Sequence, residues 1–316
     1  MGLEIKDLVK SYGDRVVVDH LSFAMDRPGV YALLGTNGAG KTTSLRMILG
    51  MLKRDEGEVL FNGKPLSTEE VNVGYLAEER GLYPKVTLMD QMLYFAALKN
   101  VPKKQAAERI KYWAEKLKLM EYFYPEPVMK KGRKVPAKPY KADQLSKGNQ
   151  QKVQLMATLI ADPDIIVLDE PLSGLDPVNT NIFKDIIHEV AANDKYIIMS
   201  SHQMATIEEF CSDITILNHG NVVLSGNLNE IKKSYGRVNL IVKAEEDISS
   251  YINELGLKIK EETPDAIMVK LDREEQANEL LHKLVDAGVN IIRFELAEPS
   301  LHEIFVEKVG DVNEEK

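Results

Sequence analysis

The sequence predicts an α/β chain with a small α+β domain appended, and three observations carry the prediction. A glycine-rich string, Gly35–Thr43 (GTNGAGKTT), follows a short apolar run and opens a helix-periodic stretch. From Gln150 onward helices and strands alternate (QQKVQLMATLIAD, IIVLD, PVNTNIFKDIIHEVAAN, YIIMSS), the rhythm of a parallel-rich sheet. After residue 237 the pattern changes to β-α-β-β-α-β plus a helix, the ferredoxin-like arrangement.

Each element follows from local pattern. LEIKDLVKSY and VVVDHLSFAM alternate and are β-branched, so they read as strands, and GVYALL (29–34) reads as a buried strand. TTSLRMIL is a helix with an apolar face that stops at Gly50. Gly57 and Gly63 punctuate a strand-turn strip, and VNVGYL is a further strand. Residues 87–123 hold apolar residues at helical spacing with no strand signal, so a helical insertion is expected. Residues 125–142 carry four prolines and six Lys/Arg and read as a long exposed basic loop, either solvated or in contact with acidic lipid or a partner protein. MATIEEFC is a helix, ITILNHGNVVLSG a hairpin, and NLNEIKKSYGR a connector helix broken by glycine. The expected domains are therefore 1–230, with its helical part over about 87–160, and 238–316.

Composition narrows the class. With 44% apolar and 28% charged residues in 316, the chain can bury more than one core. No run of 18 apolar residues is present, so no span across a bilayer is expected. The charged, alternating N-terminus is not a secretory signal, and Lys6 occupies the position where myristoylation needs Ser or Thr. Cys211, the single cysteine, reads as a small buried hydrophobe, and a cytoplasmic location follows. Residues 238–316 hold 19 acidic against 9 basic side chains, a balance of −10 that accounts for the whole net charge of −9. Such a module disfavours nucleic acid as a partner and anionic membrane as a surface. His282 and His302 stand alone on predicted helices and read as surface or packing residues.

The chemistry lies in three strings. Gly35-x4-Gly40-Lys41-Thr42 sits between strand and helix, so the backbone of Gly35, Thr36, Asn37, Gly38, Ala39, Gly40, Lys41, Thr42 and Thr43 can curl into a nest of N–H groups for phosphate. Lys41 would reach the β/γ oxygens and the Thr42 hydroxyl would bind Mg²⁺. IIVLDE delivers Asp169 to the metal, directly or through water, with Glu170 as general base for the attacking water. In LSKGN, the Ser146 hydroxyl and Gly148 backbone open a helix and form a second anion site. A helical insertion separates that site from the phosphate loop, so it makes sense only if donated to another subunit.

Together these strings resemble the ATP-binding-cassette (ABC) transporter ATPases over about Leu3 to Ile231. The resemblance implies a P-loop NTPase with a RecA-like core and a helical subdomain. It also implies ATP and Mg²⁺ as cofactors, a separate membrane permease, and a homodimer or a dimer with a related ATPase. Tyr12 falls where the family stacks an aromatic on adenine. Asn149 falls within the signature, Asp176 in the loop that speaks across the dimer, and His202 at the switch histidine. Glu78 stands where the family often has glutamine, and a carboxylate there can still ligand Mg²⁺. The signature reads LSKGN where LSGGQ is usual, and the basic loop before it is longer than the family's. The strings GYL-x-EERGLYP, LSKGNQQK and EPSLHEIFVEKVG resemble an exporter subgroup that includes sodium-extrusion and antibiotic-resistance ATPases with an extra C-terminal domain. The expected protein is thus the ATPase subunit of an exporter, peripheral at the inner face of the cell membrane. Three rivals fit less well. A translation factor of this family carries two cassettes, a chromosome ATPase splits its halves by a long coiled coil, and a soluble regulatory module needs no permease.

Overall fold

The structure, a computed structural model, describes residues 2–79, 81–130, 133–209 and 211–314. Arg80 of the EERGLYP string, Lys131 and Gly132 of the basic loop, and Phe210 of the expected 204–211 helix lie outside them. The chain divides into two compact units, Met1–Ser225 and Gly226–Lys316.

Among the described residues the first unit is built on two large sheets. Its six-stranded sheet runs in the order Asn221–Asn227, Asp213–Asn218, Gly29–Gly35, Tyr196–Ser201, Ile165–Asp169, Val73–Leu76. The pairings of Asp213–Asn218 with Gly29–Gly35, of Gly29–Gly35 with Tyr196–Ser201, and onward to Val73–Leu76 are all parallel. Parallel sheets are covered on both faces, which is why these strands read as continuous apolar runs. Ile165–Asp169 and Tyr196–Ser201 are buried at every position. A separate four-stranded sheet, ordered Arg15–Met25, Leu3–Tyr12, Glu56–Phe61, Lys64–Pro65, is antiparallel throughout. Alternate residues of the two sheets, among them Ile5, Leu21, Leu33, Val167 and Ile198, form one core with Leu45, Met47 and Ile48 of the Lys41–Ile48 helix. That helix is held between the two sheets, and its N-terminus is fixed with them.

The insertion is helical: Leu88–Leu98, Lys103–Lys116, Met120–Phe123 and Lys147–Leu159. Ala106, Ile110 and Ala114, spaced four apart, form the buried stripe of the second. Buried Gln91 donates from Nε2 to the carbonyls of Tyr83 and Val86 and accepts from Tyr83 N–H, pinning the loop after the Val73–Leu76 strand. The basic stretch is not a plain loop: Val128–Lys130 and Arg133–Val135 pair as two short antiparallel strands. Beyond Ser201, Met204–Ile207 is the helix found among the described residues before the next strand.

The second unit begins with the Leu228–Tyr235 helix, which ends at Gly236 with φ 71°. Its sheet has the order Lys258–Glu262, Ile267–Lys270, Asn239–Ala244, Ile291–Ala297, every neighbour antiparallel. In chain order this is 2-3-1-4, the ferredoxin-like order of a split β-α-β pair. Leu240, Val242 and Val269 from the sheet pack with Ile252 and with Leu280 and Leu284 of the Glu275–Asp286 helix. His282 and His302 are exposed, and Cys211, in the first unit, is buried with its thiol pushed up by desolvation.

Candidate nucleotide site

The site forms where three parallel strands end. The Gly29–Gly35 strand runs into the glycine loop, and the Lys41–Ile48 helix begins directly after Gly40 at φ 105°. Gly40 is obligatory for a second reason: a Cβ there would sit 2.5 Å from the Val17 carbonyl oxygen. Gly38 is at φ 81°, and Ala39 N–H donates to Thr36 O at 3.1 Å, closing the curl. The loop thus opens its N–H groups into a cleft of about 400 Å³, at a helix N-terminus that favours anions.

Lys41 lies inside the loop at 6% exposure. Its Nζ donates to Gly35 O at 2.8 Å and Thr36 O at 3.2 Å, and stands 3.1 Å from Glu170 Oε1. That last contact is an ion pair without hydrogen-bond geometry, since Glu170 Oε1 has no hydrogen-bond partner. Asp169 (1% exposed) ends its strand, and Glu170 (6%) follows at φ 48°, a conformation a non-glycine residue adopts only when its surroundings impose it. His202, just past the neighbouring strand, places Nδ1 2.8 Å from Glu170 Oε2. The Thr42 hydroxyl donates to Asp169 Oδ1 at 3.2 Å.

Ser200, which carries no signal in the sequence, binds these groups together. It is fully buried; its Oγ donates to Asp169 Oδ1 at 2.5 Å and accepts Glu170 N–H at 2.9 Å. A serine ending an apolar strand has no spacing signature, and only its place two residues before His202 could have flagged it.

Asp169 Oδ2 is buried without a hydrogen-bond partner, beside the Thr42 hydroxyl. Among the described residues no three His, Cys, Asp or Glu gather as a metal cage. That donor set suits Mg²⁺, which takes one or two protein ligands and fills its octahedron with phosphate and water. Glu78, exposed after the Val73–Leu76 strand, lines the same cleft, as do Asn37, Gly38, Gly40, Lys41, Thr42, Thr43 and Glu170. Arg15 and Val17 also line it, neither foreseen. Tyr12 is 54% exposed, directly opposite Arg15 across the hairpin, with Lys10 Nζ 5.3 Å from its ring centre.

The signature residues line no part of that cleft. Ser146 caps the Lys147–Leu159 helix, accepting Asn149 N–H at 3.3 Å, and Asn149 Nδ2 donates to Tyr122 OH at 3.0 Å. A Cβ on Gly148 would come within 3.0 Å of Asn179 Nδ2. Asp176 caps the Pro177–Ala191 helix through Asn179 N–H at 3.0 Å, and the hydrogen bonds from Asn179 hold its carboxyl below the usual range. Structure therefore gathers Lys41, Thr42, Asp169, Glu170, His202 and Glu78 in one place, and Ser146, Gly148, Asn149 and Asp176 in another.

A glycine nest at a helix N-terminus, facing a buried Asp-Glu pair at adjacent strand ends, defines a phosphate-loop nucleotide-binding protein. Comparison with known proteins narrows the class. The ABC transporter family matches residues 18–173, and the C-terminal domain of DrrA1-3-like ATP-binding proteins matches residues 226–309. An uncharacterised ABC transporter ATP-binding protein of Bacillus subtilis, YhaQ, is 39% identical over 99% of this chain and 100% of its own length. The bacitracin transport ATP-binding protein BcrA of Bacillus licheniformis is 26% identical over 98% of this chain and 97% of its own. Among solved structures, an ATP-binding subunit of an ABC transporter superimposes with a TM-score of 0.63 at 28% identity, covering 75% of this chain and 94% of that one. The chain belongs to the ABC transporter ATP-binding proteins, and is an ATP-hydrolysing P-loop NTPase with a DrrA-like C-terminal domain. Among the described residues no helix is long and apolar enough to cross a membrane.

Proposed function

We propose that this chain is the ATPase subunit of an exporter, working from the cytoplasmic face on a separate membrane permease. The observation that carries the reading is the split between two sets of residues. The phosphate loop with Asp169, Glu170 and His202 forms one half-site, and Ser146, Gly148, Asn149 and Asp176 lie outside its cleft. Two copies facing each other would complete two sites, each pairing one subunit's loop with the other's signature. The relative named for bacitracin transport supports a role in transport, and its match covers the C-terminal unit as well.

In this reading the nest from Gly35 to Thr43 receives the phosphates, and Lys41 leaves its carbonyl partners to neutralise the β/γ oxygens. Tyr12 stacks on the base. Thr42, Asp169 and Glu78 would hold Mg²⁺, which when bound would supply positive charge to offset that of the phosphates. Glu170 Oε1, free of hydrogen bonds in its buried position, accepts the proton of the attacking water. His202 keeps the other Glu170 oxygen aimed and faces the terminal phosphate. Closure of the dimer on ATP would drive the permease, and hydrolysis would reopen it.

An apolar groove of about 290 Å³ beside Glu79, lined by Leu76, Leu82, Phe95 and Leu98, is where we place the permease. The functional cassette is residues 1–230, and residues 238–316 serve as a dimer-stabilising or regulatory module rather than in nucleotide chemistry. Purification from membranes tests the reading: the tagged protein should bring down a polytopic membrane protein, and Leu98→Arg should lose it. A wild-type protein that binds and hydrolyses ATP yet recovers no membrane partner would contradict the exporter assignment.

A further inference from the structure

The first hairpin presents to the phosphate-loop cleft a cation that none of the roles proposed for ATP binding and hydrolysis employs. Arg15 lines the cleft, and among the described residues no hydrogen bond or ion pair engages its guanidinium. The other cation lining that cleft, Lys41, is occupied by two carbonyls and Glu170. Charge on the cleft is otherwise acidic, from Glu78 and Glu170, so a polyphosphate entering it meets one unengaged positive group.

The position of Arg15 is fixed relative to the loop. Val17, two residues along the strand, presents its carbonyl to Gly40 so closely that no Cβ fits between them. Gly220 crowds the same carbonyl, since a Cβ there would lie 2.8 Å away, and Asp19 N–H donates to Gly220 O at 2.9 Å. The strand is therefore clamped between the phosphate loop and the 219–220 turn. From Val17 to Arg15 is about 7 Å along an extended strand. Arg15 is paired with Tyr12, and directly opposite residues of an antiparallel ladder share a face. Guanidinium and aromatic ring thus lie on one side of the hairpin, with the loop at one end and the ring at the other.

We propose that Arg15 is a nucleotide-contacting residue that grips the sugar-proximal, α-phosphate end of ATP or ADP. The inference rests on the phosphate loop and Tyr12 serving as the two ends of the nucleotide site. A guanidinium is well matched to that end of the nucleotide, because it stays charged and its planar fork meets two phosphate oxygens at once. At about 7 Å from the Gly40 contact it is displaced from the γ-phosphate, which Lys41 and His202 approach, toward the base. Arg15 therefore sets affinity for both nucleotides and takes no part in bond breaking.

Calorimetric titration of ATP and ADP into the full chain tests this, with all variants carrying Glu170→Gln so that ATP survives. Arg15→Gln should weaken both nucleotides by about tenfold or more and by the same factor, with Arg15→Lys in between. It should also flatten the salt dependence of both affinities. Equal affinities in parent and Arg15→Gln would overturn the proposal. So would a loss confined to ATP, which would move the contact to the γ-phosphate. Circular dichroism of Arg15→Gln matching the parent confirms that the hairpin is intact. A parent protein that binds neither nucleotide would sink the nucleotide-site reading itself, before any Arg15 variant is made.

Discussion

Replacing Ser200 by alanine removes one hydroxyl and two hydrogen bonds from the interior of the cassette. Asp169 Oδ1 keeps only the longer contact from Thr42 at 3.2 Å, and the Glu170 N–H has no other partner among the described residues. A hydrogen bond to a charged group contributes about 1.5–3 kcal/mol, and an orphaned buried donor costs about 1–3 kcal/mol. Since both losses stem from one group, about 3 kcal/mol in all is a fair expectation. For a unit of this size that lowers the thermal midpoint by about 6–12 °C. Turnover should suffer more than binding. The hydroxyl ties Asp169 to the backbone of Glu170, which sits at φ 48°, and a displacement of about 1 Å at such a group costs about a hundredfold in rate. Steady-state ATPase assays with calorimetry of the cassette transition measure both effects. A Ser200→Ala protein with near-normal turnover and an unchanged midpoint would refute the claim that this hydroxyl holds the Asp-Glu pair.

Three further changes report on other parts of the molecule. Gly40→Ala places a methyl 2.5 Å from the Val17 carbonyl at a φ of 105°, so it should abolish ATP binding, measured by titration, and cost several kcal/mol. Ser146→Arg should leave ATP binding to the isolated subunit intact but stop turnover, because bulk and charge fill the site offered to the partner. In the C-terminal unit, burial pushes the Glu303 carboxyl up, but hydrogen bonds from Lys260 and Ser300 outweigh it and hold it below its ordinary value. A carboxylate lowered in the folded state contributes stability that is present above its unfolded pKa of about 4.3 and is lost as pH falls through the folded value. Calorimetry of the full chain should therefore show the C-terminal transition weakening on acidification, with Glu303→Gln flattening that slope.

How much was legible in the sequence varied with the physics of each feature. The phosphate loop was readable because Gly38 and Gly40 are required by backbone conformation and close packing, which fix their spacing. Asp169 and Glu170 were readable because a fully buried parallel strand leaves an apolar run that ends abruptly in charge. The C-terminal rhythm was readable from alternation and amphipathic helices, and the strand order agrees with it. Ser200 and Arg15 were invisible because their importance comes from neighbours distant in sequence: Asp169 is 31 residues from Ser200, and Arg15 meets the loop only through folding. The separate antiparallel sheet was hidden for the same reason, since strand alternation says nothing about which sheet a strand joins. The paired strands Val128–Lys130 and Arg133–Val135 escaped because strands of three residues are too short for a period, and the flanking prolines and lysines mask them. Helix signal over MATIEEFC ran too long, since among the described residues the helix is Met204–Ile207 and 208–209 form a turn.

The central claim is that ATP is shared between two copies of this chain, and it is tested most directly by the mass of Glu170→Gln with saturating ATP. The amide keeps the size of the side chain and loses the base, so nucleotide should be held unhydrolysed. Light scattering after size exclusion should show doubled mass with ATP and monomer mass with ADP, and Ser146→Arg in the same background should remain monomeric in both. A Glu170→Gln protein that binds ATP tightly yet stays monomeric at every concentration would contradict the account.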